Sequence, residues 1–146
     1  MNVVLDRSQI EQLLPQKGAM CLIDTAVACT EDSVVCRADA ARADHPLREA
    51  GGVAAEHAIE YGAQAAALHR RLSRHDAATA SAGLLLQVKH AEFHVRWLDR
   101  LAQPLQISAQ CVQGTSEAAT YRFEVRAGAT LAASGELTVR LAMRKL

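Results

Sequence analysis

The chain has 146 residues, half of them apolar and 22% charged, a composition that suits one folded domain with a single core and excludes a largely disordered chain. Sixteen basic and sixteen acidic side chains cancel, so no net positive field favours nucleic acid as a partner. No run approaches the length of a membrane span, and no basic N-terminal segment leads into an apolar one.

The four cysteines, Cys21, Cys29, Cys36 and Cys111, show no C-x-x-C spacing. Three fall in apolar, strand-like runs, where a free thiol behaves as a small hydrophobe. A soluble cytoplasmic protein with reduced thiols is expected.

In chain order, Ser8-Gln9-Ile10-Glu11 reads as a capping box opening a short helix that Pro15 stops. Ala19 to Cys29 reads as a strand, Thr30 to Ser33 as a turn, and Val34 to Ala40 as the second strand of a hairpin. Asp44 to Gly52 is a loop. From Val53 to Ser73 runs an alanine-rich helical pattern, roughly 31 Å long at 1.5 Å per residue. Being apolar around most of its circumference, it is expected to be buried.

The rest is strand-like. Leu84 to Trp97 changes phase near His90-Ala91, which predicts a bulge. Leu105 to Val112, the run around Tyr121, Phe123 and Val125, and the run from Leu137 to Met143 each alternate apolar with polar residues. An α+β fold follows over residues 1–146 as one domain, an antiparallel sheet packed on one central helix. That order of elements suits the hot-dog fold, in which the sheet wraps the helix.

Chemistry concentrates on the long helix and the loop before it. His57, Glu60 or Tyr61, Gln64 and Leu68 follow spacings of three, four and seven, and so share one face. Counted from Val53, Glu60 lies about two turns in, too deep to cap the helix. A carboxyl group there is costly to bury unless paired or kept neutral, and one kept protonated can act as a general acid. The structural alternative bonds Glu60 to backbone or to Arg48, and Gln64 to backbone near the helix start.

His45 precedes Pro46, which favours an extended backbone and presents the ring from the loop. With an unperturbed pKa near 6.5 it would be a natural proton acceptor. A metal held by His57, Glu60 and His45 lacks a clear fourth ligand, so no metal is expected. Arg70, Arg71, Arg74, Arg96 and Arg100 are basic residues that an acidic partner could use, although a solvated helix end accounts for the first three.

The segment Ile10-Glu11-Gln12-Leu13-Leu14-Pro15-Gln16-Lys17-Gly18-Ala19-Met20-Cys21-Leu22-Ile23-Asp24 resembles the N-terminal segment of the 3-hydroxyacyl-acyl-carrier-protein dehydratases of the hot-dog superfamily. Ile59-Glu60-Tyr61-Gly62-Ala63-Gln64-Ala65 is similar to their E-x-x-A-Q signature. Val88 to Phe93 and Pro104 to Ile107 resemble two central strands. The glycine-histidine-phenylalanine-proline-glycine loop of that family is absent, and Asp44 to Gly52 stands in its place. The short loop resembles a divergent branch found in aryl-polyene-type clusters, some of whose members work as partners of a second dehydratase subunit.

The resemblance implies elimination of water from a 3-hydroxyacyl thioester carried on acyl carrier protein, without metal or cofactor. His45 would remove the C2 proton and Glu60 would protonate the departing hydroxyl. Backbone N–H groups of Gly52 and Val53 would polarise the carbonyl, with His57 and Gln64 supporting the site. In this fold the site forms between protomers, so a homodimer or heterodimer is implied. A weakly active partner subunit is the alternative, then a hot-dog thioesterase, and last a purely structural domain.

Overall fold

The computed structural model describes residues 5–73 and 80–143. Arg74 and the side chains of Leu84, Leu141 and Met143 lie outside the described residues. Helix α1 (Arg7–Leu13) is capped two residues earlier than the sequence suggests: Asp6 accepts from Gln9 N–H, and the Gln9 side chain accepts from Asp6 N–H. Asp6 and Gln9 close the same reciprocal box with an aspartate in the first position. Leu14 is the C-cap, directly before Pro15, as expected.

The strand expected from Ala19 is shorter. Gly18–Met20 forms a 3-10 turn, and β1 begins only at Thr25 (Thr25–Cys29). Side chains replace the ladder here. Arg7 donates to the carbonyls of Gly18 and Cys21, Arg42 to those of Ala19 and Cys21, and Gln64 bonds both Met20 and Leu22. The hairpin to β2 (Ser33–Ala38) stands as read, with Thr30 N–H donating to Ser33 O at 2.8 Å.

Helix α2 (Ala58–Ser73) also starts later than the apolar pattern. Residues 53–55 pair instead with 96–98: Ala55 N–H donates to Arg96 O, and Leu98 N–H to Val53 O. A 3-10 turn (Ala55–His57) then leads into the helix. Glu60 is therefore in the first turn of α2, which corrects the depth inferred from the sequence.

The remaining strands are β3 (Ala80–Phe93), β4 (Leu105–Gly114), β5 (Ala118–Ala127) and β6 (Thr130–Met143). All pairings are antiparallel, in the order β1-β2-β4-β5-β6-β3. The expected break in β3 is present. Its register slips between Lys89 and Glu92, and His90 adopts φ 54°. Trp97 falls beyond the strand, beside a further 3-10 turn, Leu98–Arg100.

One face of the sheet is dry. Val34, Cys36, Ile107, Ala109, Tyr121, Phe123, Val125, Leu137 and Val139 are buried, and they form one core cluster with Ala58, Tyr61, Ala65 and Leu68 of α2. This is the hot-dog arrangement. No helix among the described residues is long and apolar enough to cross a membrane.

Close approach of helix and sheet depends on Gly62. A Cβ there would lie 2.7 Å from Phe123 Cγ and 3.2 Å from Phe123 Cβ, and the latter cannot swing away. Gly62→Ala gains helix propensity but overpacks this contact, so a net loss of about 1–2 kcal/mol is expected. Urea unfolding measures it, and an unchanged or raised midpoint would show that the sheet gives way freely.

Candidate functional site

Most of α2 is enclosed, but Ile59, Glu60 and Ala63 are only half-buried and mark its open side. Glu60 Oε1 accepts from Gln64 Nε2 at 3.0 Å, and Oε2 has no partner among the described residues. Arg48 does not reach Glu60. It donates to Asp99 at 3.0 Å and to Arg42 O at 2.8 Å.

Gln64 is 1% exposed and fully engaged. Its Oε1 accepts from Leu22 N–H, and its Nε2 donates to Met20 O and to Glu60. The backbone it satisfies belongs to the segment ahead of β1, not to the loop before α2. Tethered there, it fixes one oxygen of the acid.

His45 is not the exposed imidazole expected from its loop. It is 5% exposed, and its Nε2 lies 2.9 Å from the Tyr61 hydroxyl. Leu47 N–H donates to Nδ1 at 3.2 Å. Since Nδ1 must accept, the proton sits on Nε2 and is given to Tyr61. Burial, reinforced by the Arg42 and Arg48 cations, pushes the His45 pKa down to about 4. Burial likewise raises the Tyr61 hydroxyl.

Gly52 and Val53 do not offer free N–H groups. Gly52 N–H donates to Glu49 O at 3.1 Å, and Val53 N–H to Asp99 Oδ1 at 2.9 Å. Gly52 has another purpose: with φ 128°, a Cβ there would stand 2.6 Å from Asp99 Oδ1. Burial raises the Asp99 carboxyl, but bonds from Val53 N–H, its own N–H and Arg48 outweigh it and lower the pKa. Asp99 thus pins the loop to the helix entry.

His57 ends the 3-10 turn, part-exposed, with Nε2 at 3.4 Å from Glu49 Oε1. Arg96 and Arg100 both stack over Trp97, each 5.3 Å from the ring centroid. Arg70 is no solvated helix end: it is buried and donates to Thr115 O. Sequence reasoning missed Asp99, Glu49 and the pairing of Tyr61 with His45. Asp99 and Tyr61 act across 46 and 16 positions, respectively, where no local pattern signals them.

The family model described as ApeP-like, ApeP dehydratase, matches residues 8–144. No curated protein sequence matches the chain. Among solved structures, a chain of the dehydratase heterocomplex ApeI:P from Xenorhabdus doucetiae superposes with TM-score 0.82 at 19% identity, covering 91% of this chain and 90% of that one. A thioesterase from Haemophilus influenzae gives TM-score 0.68 at 12% identity, covering 95% and 92%. AziG from S. sahachiroi gives 0.62 at 15% identity, covering 82% and 90%.

The buried His45 carries a pH signature. The unfolded imidazole binds a proton near its ordinary 6.5, whereas the folded one resists until about 4. Between those values the unfolded state holds more protons, so stability is full above 6.5 and falls as pH drops through the window. His69, whose pKa burial also lowers, adds in the same direction. Urea midpoints should drop between about pH 7 and about pH 4.5, and His45→Gln should flatten part of that slope; an identical slope in the variant would contradict the assignment.

Proposed function

The chain belongs to the ApeP-like dehydratase family, and from that membership we propose that it removes water from a 3-hydroxyacyl thioester to give the 2-enoyl thioester. The acyl group is presented by an acyl carrier protein, in biosynthesis of the aryl-polyene type. Supporting this most directly is Glu60, on the open side of α2, with one oxygen fixed by Gln64 and the other unpartnered among the described residues.

In the elimination, a base takes the C2 proton and that C–H electron pair becomes the C2–C3 π bond. The C3–O bond breaks, and the oxygen leaves as water with a proton from Glu60. His45 is the imidazole that the family resemblance assigns to C2. To serve, its ring must give up Leu47 N–H and expose Nδ1.

That engagement favours a second reading, in which this chain is one half of a paired dehydratase and its partner supplies the imidazole. The ApeI:P structure is itself a heterocomplex. Strand β3 ends the sheet with one edge unpaired among the described residues, and Leu85 and Phe93 on it are exposed. We place the subunit contact, with a second copy or a second dehydratase, along that edge. Arg96 and Arg100, exposed beside Trp97, are the basic residues we assign to the acidic carrier protein. Four free cysteines accord with a reducing cytoplasm.

Glu60→Gln keeps size and hydrogen bonding but removes the transferable proton. Hydration of a 2-enoyl thioester, the reverse reaction, should fall at least about 100-fold with an unchanged unfolding midpoint. Full activity in this variant would defeat the reading. Thiol release in place of hydration would assign the acid to water activation, the thioesterase alternative. Assay of the chain alone and mixed with a co-encoded dehydratase separates enzyme from partner subunit.

A further inference from the structure

Loss of water from C3 seats the third acyl carbon against Glu60, so the groups flanking that acid decide what lies on either side of it. The two flanks differ in polarity. Toward the helix entry the open side chains are Glu49, Glu56 and His57. The exposed Arg96 adjoins the same entry, since Ala55 N–H donates to Arg96 O. Toward the next turn of α2, Ala63 is part-open, whereas Tyr61, Gly62 and Gln64 through Arg70 are buried. Beside that turn stands the 3-10 segment Gly18–Met20.

This segment is held from several sides. Gly18 opens it at φ 57°, and Cys21 N–H closes it on Gly18 O at 3.1 Å. Arg7 donates to the carbonyls of Gly18 and Cys21, and Arg42 to those of Ala19 and Cys21. The Met20 carbonyl accepts from Gln64 Nε2 at 2.9 Å, and the same nitrogen donates to Glu60 Oε1 at 3.0 Å. One amide nitrogen therefore ties Met20 to the acid, with the two accepting oxygens within about 6 Å of each other.

The Met20 side chain is nonetheless 43% exposed. Leu85, Phe93 and Val112 are also exposed, and exposure alone is ordinary for an apolar residue. Of these, Met20 alone shares a hydrogen-bond donor with Glu60 among the described residues. Methionine is unbranched, flexible and polarisable, and its sulfur packs favourably against π systems. A side chain of that length, starting this near Glu60, reaches the carbons beyond C3 of a substrate seated on the acid.

We propose that Met20 is a specificity-determining residue for the acyl group. The carrier arm lies toward the polar helix entry, and the carbons beyond C3 lie along Met20 and Ala63, where the thioether favours a conjugated or aryl-ended chain over a short alkyl one. The assignment rests on the dehydratase reading and adds to it the direction and class of the acyl group.

The test compares two N-acetylcysteamine thioesters with the full chain, alone and mixed with a co-encoded dehydratase. One is 2-butenoyl, followed by hydration, whose chain ends one carbon past C3. The other is 3-hydroxy-5-phenylpent-4-enoyl, followed by dehydration, whose double bond and ring lie beyond C3. Met20→Gln keeps the length but replaces the thioether with an amide. It should lower kcat/KM for the aryl substrate relative to the butenoyl one at least about 5-fold, mainly through KM, and Met20→Leu should keep that ratio within about 2-fold. Should Met20→Gln lower the unfolding temperature, Met20→Ala is judged by the same ratio. A smaller change overturns the assignment. So does an equal fall for both substrates, which would mark a structural or subunit-contact role. An unaltered protein inactive toward both substrates under either condition overturns the dehydratase reading and this assignment together, whereas an active parent whose ratio survives the substitution defeats Met20 alone.

Discussion

Everything at the candidate site depends on one buried amide. Gln64 carries three bonds at once: from Leu22 N–H to its oxygen, and from its nitrogen to Met20 O and Glu60 Oε1. Leu22 N–H can only donate and Met20 O only accept, so the orientation of the amide is forced. A glutamate at 64 would turn an oxygen toward both the Met20 carbonyl and the Glu60 carboxyl. A leucine would leave two backbone groups near the core without partners. The same side chain therefore anchors the segment ahead of β1 to the helix and sets the direction of the acid.

Around that point the other buried polar residues, His45, His69 and Arg70, are each held by a partner. His69 spans Tyr121 O–H at 2.6 Å and Thr30 O at 3.0 Å, tying the far end of α2 to β5 and to the hairpin turn. Thr30 O can only accept, so Nε2 donates and Nδ1 receives the tyrosine proton. His45 with Tyr61 and Leu47, and Arg70 with Thr115, follow the same rule. These contacts hold an alanine-rich helix that brings few large side chains of its own to packing. Glu60 Oε2, by contrast, has no partner among the described residues.

The fold was legible because its signals are local. Alternation around Tyr121, Phe123 and Val125, the phase change at His90 and the alanine-rich run after Val53 each report a short-range preference. Element starts were misjudged where distant partners intervene. Ala19 to Ile23 looks like a strand, but Arg7, Arg42 and Gln64 take its backbone groups. Val53 looks helical, but it pairs with Leu98 and Asp99. At the site, residue types were readable and pairings were not. His45 looked exposed because Pro46 follows it, and nothing nearby reveals that Tyr61 closes over its ring.

The loop from Asp44 to Gly52 shows how a site can be rebuilt without its usual motif. Two backbone N–H groups expected to face a substrate are consumed holding the loop: Gly52 closes a bridge to Glu49, and Val53 binds Asp99. The bridge that takes Gly52 N–H out of use is the one that presents Glu49 to His57. Polarisation of a thioester carbonyl would then come from other donors, which a second subunit docked, as we propose, along the edge of β3 would bring. In that arrangement this protomer contributes the acid. The adjoining subunit would complete the wall against which the acyl chain lies.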